Sequence, residues 1–301
     1  MGRVLKEKIT LSVITPVTRL AGRTHRLRSW LYEVSEKQIE VFLVHDWNDA
    51  ETSIELNELV KELNNPRVYL IEGIFGGPGA ARNEGISNAS GEWVCFWDSD
   101  DMPQISETLK ILDTKVESSV DCLVANYVSI DDTSGARKFH ILGKNYLNQI
   151  AINPGIWRFF FRKSSFPLLE FCNLKMAEDQ LFLADYLTTD IIVETRDAIT
   201  YHYIQGGKFS LTKNQSALND LCKASKQCLE IMRIKQFVNL EFTGIIFFRQ
   251  VFSSIKYGNF ECKIRAIYYL IQGFLWSSNV IKKNIILGIK HIILRKLARD
   301  Q

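Results

Sequence analysis

Residues Gly91–Asp101 read GEWVCFWDSDD. The apolar run Trp93–Trp97 has the length and aromatic content of a buried strand, and the chain turns polar at Asp98. A strand that stops in Asp98-Ser99-Asp100 offers two carboxylates at one rim. That is enough to hold a hard divalent cation through oxygen, with water and phosphate oxygens filling the remaining positions. A plainer role also fits, because Asp100 or Asp101 can cap a helix opening near Pro103.

Working outward, Leu11–Thr15 (closed by Pro16), Val41–Val44 and Val68–Ile71 read as three further buried strands. Helical patterns separate them over Leu27–Val34, Ile54–Leu63 and Ala80–Ala89. Strands alternating with helices imply βαβ units and a mostly parallel, Rossmann-like sheet covered on both faces. Ligands of such sheets gather at the carboxyl ends of the strands. Here those ends carry Pro16, Asp46 and the Asp98–Asp101 cluster, and their convergence is the first functional signal. Further on, strands are expected over Asp121–Ile130, Ile156–Phe161, Ile191–Glu194 and Ala198–Ile204, with a helix over Glu178–Leu187. After Ser216 the pattern is helical to the end.

Gly76-Gly77-Pro78-Gly79 leads into a helix bearing Arg82, whose rigid fork suits a nucleotide or phosphate. The spacing matches neither a dinucleotide fingerprint nor a Walker loop. Four blocks now stand in order: SVITPV (12–17), IEVFLVHD (39–46), GPGAARN (77–83) and GEWVCFWDSDD (91–101). Together they resemble the family 2 glycosyltransferases of the GT-A fold, over about residues 9–215. The resemblance implies transfer of a sugar from a nucleotide diphosphate donor, most simply a UDP-sugar. Asp46 then reads the nucleobase, Arg82 lies beside base and phosphates, and Asp98 and Asp100 reach the ribose and a diphosphate-bound Mn²⁺ or Mg²⁺. Pro16 and Ser99 line the same donor wall. His45 replaces the first Asp of the usual pair, and Trp47 a Gly.

Met176-Ala177-Glu178-Asp179 opens a helix, where carboxylates are favoured by the helix dipole. In the family, an acidic pair about 80 residues after the D-x-D marks the catalytic carboxylate. The resemblance therefore implies Asp179 as general base, with Glu178 supporting it, in an inverting transfer. Trp157 is a candidate acceptor-sugar platform or a core residue. The segment Tyr201–Ser210 resembles the family's closing loop, which implies a lid with Ser210 in it. His202 there is a further candidate for diphosphate or metal, or an ordinary half-buried histidine.

Composition bounds the rest. The 301 residues are 46% hydrophobic and 24% charged, as in a soluble globular protein. Six scattered cysteines without a C-x-x-C pair suit a reducing, cytoplasmic setting and no structural zinc. No signal peptide is expected, and no run reaches the roughly 18 apolar residues of a spanning helix. From Glu241 onward ten Lys/Arg face three Asp/Glu, a balance of +7, whereas the first 240 residues carry 27 against 31. Basic helices interleaved with aromatic residues suit either the inner face of a membrane or a structural cap. Nothing matches a base-reading nucleic-acid module. The expected organisation is a catalytic GT-A domain over 1–215 and a helical, basic amphipathic region over 216–301. The acceptor implied is a glycan or lipid-linked intermediate of cell-surface polysaccharide synthesis. A nucleotidyltransferase would need a stronger triphosphate loop than Arg19, Gly22 and Arg23 provide. A non-catalytic sugar-nucleotide binding module would be expected to lack Asp98, Asp100 and Asp179.

Overall fold

A computed structural model describes residues 9–34, 37–47, 49–206, 215–235 and 238–276. Its chain divides into two compact units drawn from interleaved segments. The first comprises 1–142, 156–171 and 191–209, and the second 143–155, 172–190 and 210–301.

The first unit is a sheet with four helices. Strands β1 (Leu11–Val17), β2 (Ile39–Asp46), β3 (Val68–Gly73) and β4 (Trp93–Phe96) run parallel in the order β3-β2-β1-β4. Between them lie α1 (His25–Glu33), α2 (Ala50–Leu63) and α3 (Pro78–Asn88). Register is set by the buried faces of the strands: Val13 opposes Val41 on one side and Cys95 on the other. Odd-numbered residues of β1 and β2 (Leu11, Val13, Val41, Leu43) join Leu56 and Leu59 of α2 in the main core. On the other face α3 approaches β1 so closely that a Cβ on Gly85 would stand 2.4 Å from Ile14 Cγ2. At the strand starts, buried Glu40 accepts hydrogen bonds from Ser12 Oγ at 2.6 Å and from the backbone N–H of Ser90 at 2.5 Å.

Beyond β4 the sheet becomes mixed. It continues through β8 (Phe159–Arg162), β6 (Cys122–Asp131) and β9 (Val193–Gln205) to the two-residue β5 (Met102–Pro103), with β7 (Arg137–His140) hairpinned onto β6. The two strands expected over 191–204 form one long β9, whose pairing with β6 shifts register at Ala125–Asn126. Helix α4 (Ile105–Asp113) follows β5 close to the helix start expected near Pro103, but its N-cap is Gln104 rather than Asp100 or Asp101. The expected strand start at Ile156–Arg158 is a 3₁₀ turn.

The second unit is helical: α5 (Tyr146–Ile152), α6 (Glu178–Tyr186), the four-residue α7 (Gln215–Leu218), α8 (Asp220–Ile234), α9 (Leu240–Tyr257) and α10 (Phe260–Trp276). The buried face of α9 (Phe242, Ile246, Phe247, Val251) forms its centre. Asn239 caps α9 by accepting from Phe242 N–H at 3.1 Å. Helices α5 and α6, which precede residue 215, pack in this unit.

Candidate active site

Because β2, β1 and β4 are parallel neighbours, their carboxyl ends bring Asp46, Pro16 and Asp98 to one rim. Asp46 accepts hydrogen bonds from Gly76 N–H at 2.9 Å and Phe75 N–H at 3.3 Å. These tie the end of β2 to the turn before α3, where Gly76 has φ +76°, a left-handed conformation favouring glycine. A carboxylate offers about four lone-pair positions, so Asp46 retains acceptor capacity for a ligand N–H.

Arg82 projects from α3 and is buried. Its Nη2 lies 3.1 Å from Asp98 Oδ1, and its guanidinium sits 5.3 Å from the centre of the Phe171 ring. Two of the expected donor residues are thus in direct contact.

The turn after β4 is held from beneath. Asp98 N–H donates to Tyr201 Oη at 3.0 Å, Tyr201 Oη donates to Asp101 Oδ2 at 2.8 Å, and Asp101 Oδ1 accepts from Ile204 N–H at 2.7 Å. Both side chains are buried, with Asp101 1% and Tyr201 0% exposed. Burial, then the charges of Asp98 and Asp100, raises the Asp101 carboxyl well above the usual carboxylate range. Ser99 is buried in the same turn, while Asp100 is exposed. Arg26 braces the turn from α1: it donates to the Asp100 carbonyl at 3.3 Å and pairs with Asp132. The sequence reading gave no role to Arg26, set Tyr201 at the start of the expected lid segment, and counted Asp101 in the strand-end cluster or as a helix cap.

Asp98 and Asp100 are the carboxylates this turn would offer a divalent cation. Although the residue as a whole is exposed, desolvation of its carboxyl group in the turn, and after it the Asp98 charge, raise the Asp100 carboxyl; a cation would relieve the second of these. The donor set is partial: among the described residues no group of three or more His, Cys, Asp or Glu is placed to hold an ion. Two carboxylates with the remaining positions left to water and diphosphate match Mg²⁺ or Mn²⁺ chemistry. His202, on β9 opposite Met102, instead stands with Nδ1 3.2 Å from Gln104 Nε2. Burial and then Arg137 push its imidazole pKa down.

Trp157 occupies the core position that the sequence left open beside the platform reading. It is 7% exposed, and its ring stacks on Tyr201 at 4.7 Å and on Tyr203 at 5.4 Å. Ser210 lies outside the described residues.

In the helical unit, Ala177 adopts a left-handed φ of +68° and turns the chain into α6. Glu178 is buried at the helix start, and Asp179 is partly exposed, its Oδ1 accepting from Gln180 N–H at 2.8 Å. The Cys172 thiol is pushed up to about 12 by burial and then by the Glu178 charge. Gln180 accepts from Gln250 Nε2 at 2.5 Å, fixing α6 to α9.

Comparison with known proteins gives a consistent result. The family model described as glycosyl transferase family 2 matches residues 12–173. Glycosyltransferase GlyA of Streptococcus pneumoniae serotype 4 is 26% identical over 248 residues, and GlyG of the same strain is 23% identical over 260. Each alignment covers 76% of this chain, but spans 35% of the length of GlyA and 86% of that of GlyG. In structure, S. aureus TarS 1–349 in complex with UDP-GlcNAc superposes with a TM-score of 0.61, 18% identity and coverage of 88% of this chain and 80% of that one. The mannosyltransferase PcManGT of Pyrobaculum calidifontis, in complex with GDP-Man and Mn²⁺, gives 0.58, 12% identity and coverage of 96% and 81%. At these identities the likeness in structure is one of fold.

Proposed function

The chain belongs to glycosyl transferase family 2, and we propose that it transfers a sugar, with inversion, from a nucleotide diphosphate sugar to a hydroxyl of a glycan or lipid-linked acceptor. The observation that carries this reading is the constellation of Asp46 at the end of β2, Arg82 on α3, and Asp98 and Asp100 on the turn after β4 that Tyr201 and Asp101 anchor. Asp46 supplies an acceptor for a nucleobase N–H. Arg82 fixes the Asp98 carboxylate and adds positive charge beside the phosphates. Asp98 and Asp100 are the residues that would hold Mn²⁺ or Mg²⁺, which when bound neutralises charge developing on the departing diphosphate. Asp179 takes the proton of the acceptor hydroxyl, with Glu178 setting its position. Residues 1–215 form the catalytic region and 216–301 an accessory one. The setting is cytoplasmic, with a peripheral contact on the inner face of the membrane through the C-terminal helices, in cell-surface polysaccharide synthesis.

TarS was solved with UDP-GlcNAc and PcManGT with GDP-Man, so the decisive screen includes both bases. Purified protein with Mn²⁺ is incubated with UDP- and GDP-sugars, and slow acceptor-free hydrolysis is followed. Release of UDP from one UDP-sugar is expected, and it should stop in excess EDTA. Hydrolysis of none of them, with no nucleotide binding by calorimetry, would overturn the donor reading.

A further inference from the structure

Helix α10 is apolar on two opposite faces. Its inner face is buried at Cys262, Ala266 and Gly273 and packs on α8 and α9. Its outer face carries Phe260, Ile264, Ile267, Tyr268, Ile271 and Leu275 at helical spacing, each between 46% and 80% exposed. Single exposed apolar residues are ordinary, but a continuous stripe of large ones marks a surface that meets something apolar. A helix that is apolar all round is stable only where both faces are covered.

Charge selects the occupant. Lys263 and Arg265 flank the stripe on α10, and Arg265 pairs with Glu261 of the same helix. From Trp276 the sequence runs on through 25 residues, 277–301, with six Lys/Arg and one Asp, a net +5, interleaved with Ile281, Ile285, Ile289 and Ile293. A second copy meeting this face would bring like charges together. An anionic lipid leaflet attracts them while its acyl region accepts the stripe. Among the described residues no helix is long and apolar enough to cross a membrane, so a helix lying in the plane of the surface is the geometry that remains for α10.

We infer that the outer face of α10 is a membrane-docking surface, lying in the headgroup region of an anionic leaflet. This rests on the peripheral-membrane reading and gives it a defined surface. The stripe enters the interface, the flanking cations meet the headgroups, and the inner face keeps its packing on α8 and α9.

The test uses the full chain in flotation with vesicles of phosphatidylcholine alone and of equal parts phosphatidylcholine and phosphatidylglycerol. Full-length protein should float with the anionic vesicles. The variant Ile267→Glu/Ile271→Glu should partition at least about tenfold less. Both positions are exposed, so its circular dichroism and thermal midpoint should be unchanged. A second variant, Lys282→Gln/Lys283→Gln/Arg295→Gln/Lys296→Gln, separates the two ideas. If the α10 variant floats normally and the four-cation variant does not, the peripheral reading stands and the α10 assignment falls. If the unsubstituted chain ignores both vesicles, both fall. If sedimentation shows a dimer that the α10 variant converts to a monomer, the face serves self-association and the inference is overturned.

Discussion

The Tyr201 hydroxyl serves two partners at once, receiving Asp98 N–H and donating to the buried Asp101 carboxylate. Replacing it with Phe keeps the ring stacked on Trp157 at 4.7 Å while leaving both partners short of one bond. The cost should be about 1–3 kcal/mol of stability, the range for a buried polar group left unpaired. If the turn presents Asp98 and Asp100 to a cation, Tyr201→Phe should also weaken UDP binding several-fold with Mn²⁺ present and little without it. Calorimetry in both conditions decides, and an equal loss in each would make Tyr201 a purely structural residue. A reader of the sequence had the D-x-D before them but not this support. Tyr201 is 103 positions from Asp98 and Arg26 is 74 from Asp100, so no local spacing connects them. Asp46, Asp98 and Asp100 were legible because each sits at a strand end in a polar cluster, and Arg82 because the Gly76-Gly77-Pro78-Gly79 stretch leads into its helix. Trp157 was not resolvable, since an aromatic near a strand reads alike in a core and in a sugar platform.

At the level of elements, the parallel half of the sheet was legible because each strand is a short apolar run closed by a polar cluster. The mixed half was not. Strand β9 is mostly half-buried, with only Thr200 and Tyr201 buried, and carries the exposed Asp197 between its halves, so its sequence breaks where its pairing merely shifts register. Strand β5 has only two residues, and its place is fixed by β9. Close packing of α3 on β1 gives a direct test of the parallel half. A methyl at Gly85 would meet the buried Ile14 side chain at 2.4 Å, where the neighbour is a branched core residue with no room to swing away. Gly85→Ala should therefore destabilise by about 1–3 kcal/mol, the usual cost of overpacking. Adding Ile14→Ala should recover part of the loss, because it removes the atoms in conflict. Denaturant unfolding of the two variants measures this, and a neutral Gly85→Ala would mean α3 is free to shift. Glu40 offers a contrasting case. Glu40→Ala strips a buried acceptor from Ser12 and Ser90 at the strand starts. It should lower stability by about 1–3 kcal/mol while leaving nucleotide affinity unchanged.

Over the whole molecule, the proposed donor residues Asp46, Arg82, Asp98 and Asp100 belong to the sheet unit, and Glu178 and Asp179 belong to the helical unit. That partition makes a kinetic separation testable. If Asp179 is the general base, it acts on the acceptor hydroxyl and has no part in holding the nucleotide. Asp179→Asn preserves size and the bond from Gln180 N–H, but an amide cannot take a proton at neutral pH. Turnover should fall by about 10²–10⁴-fold, the usual contribution of a positioned base. Affinity for the nucleotide should hold, whereas Asp100→Ala should lose metal-dependent nucleotide affinity and turnover together. Glu178→Gln should be milder in turnover, because Glu178 touches the reaction only through its neighbour. Near-normal turnover in Asp179→Asn would remove it from the chemistry. A parallel loss of UDP affinity and turnover in that variant would instead count Asp179 among the donor contacts and leave the base to be found elsewhere.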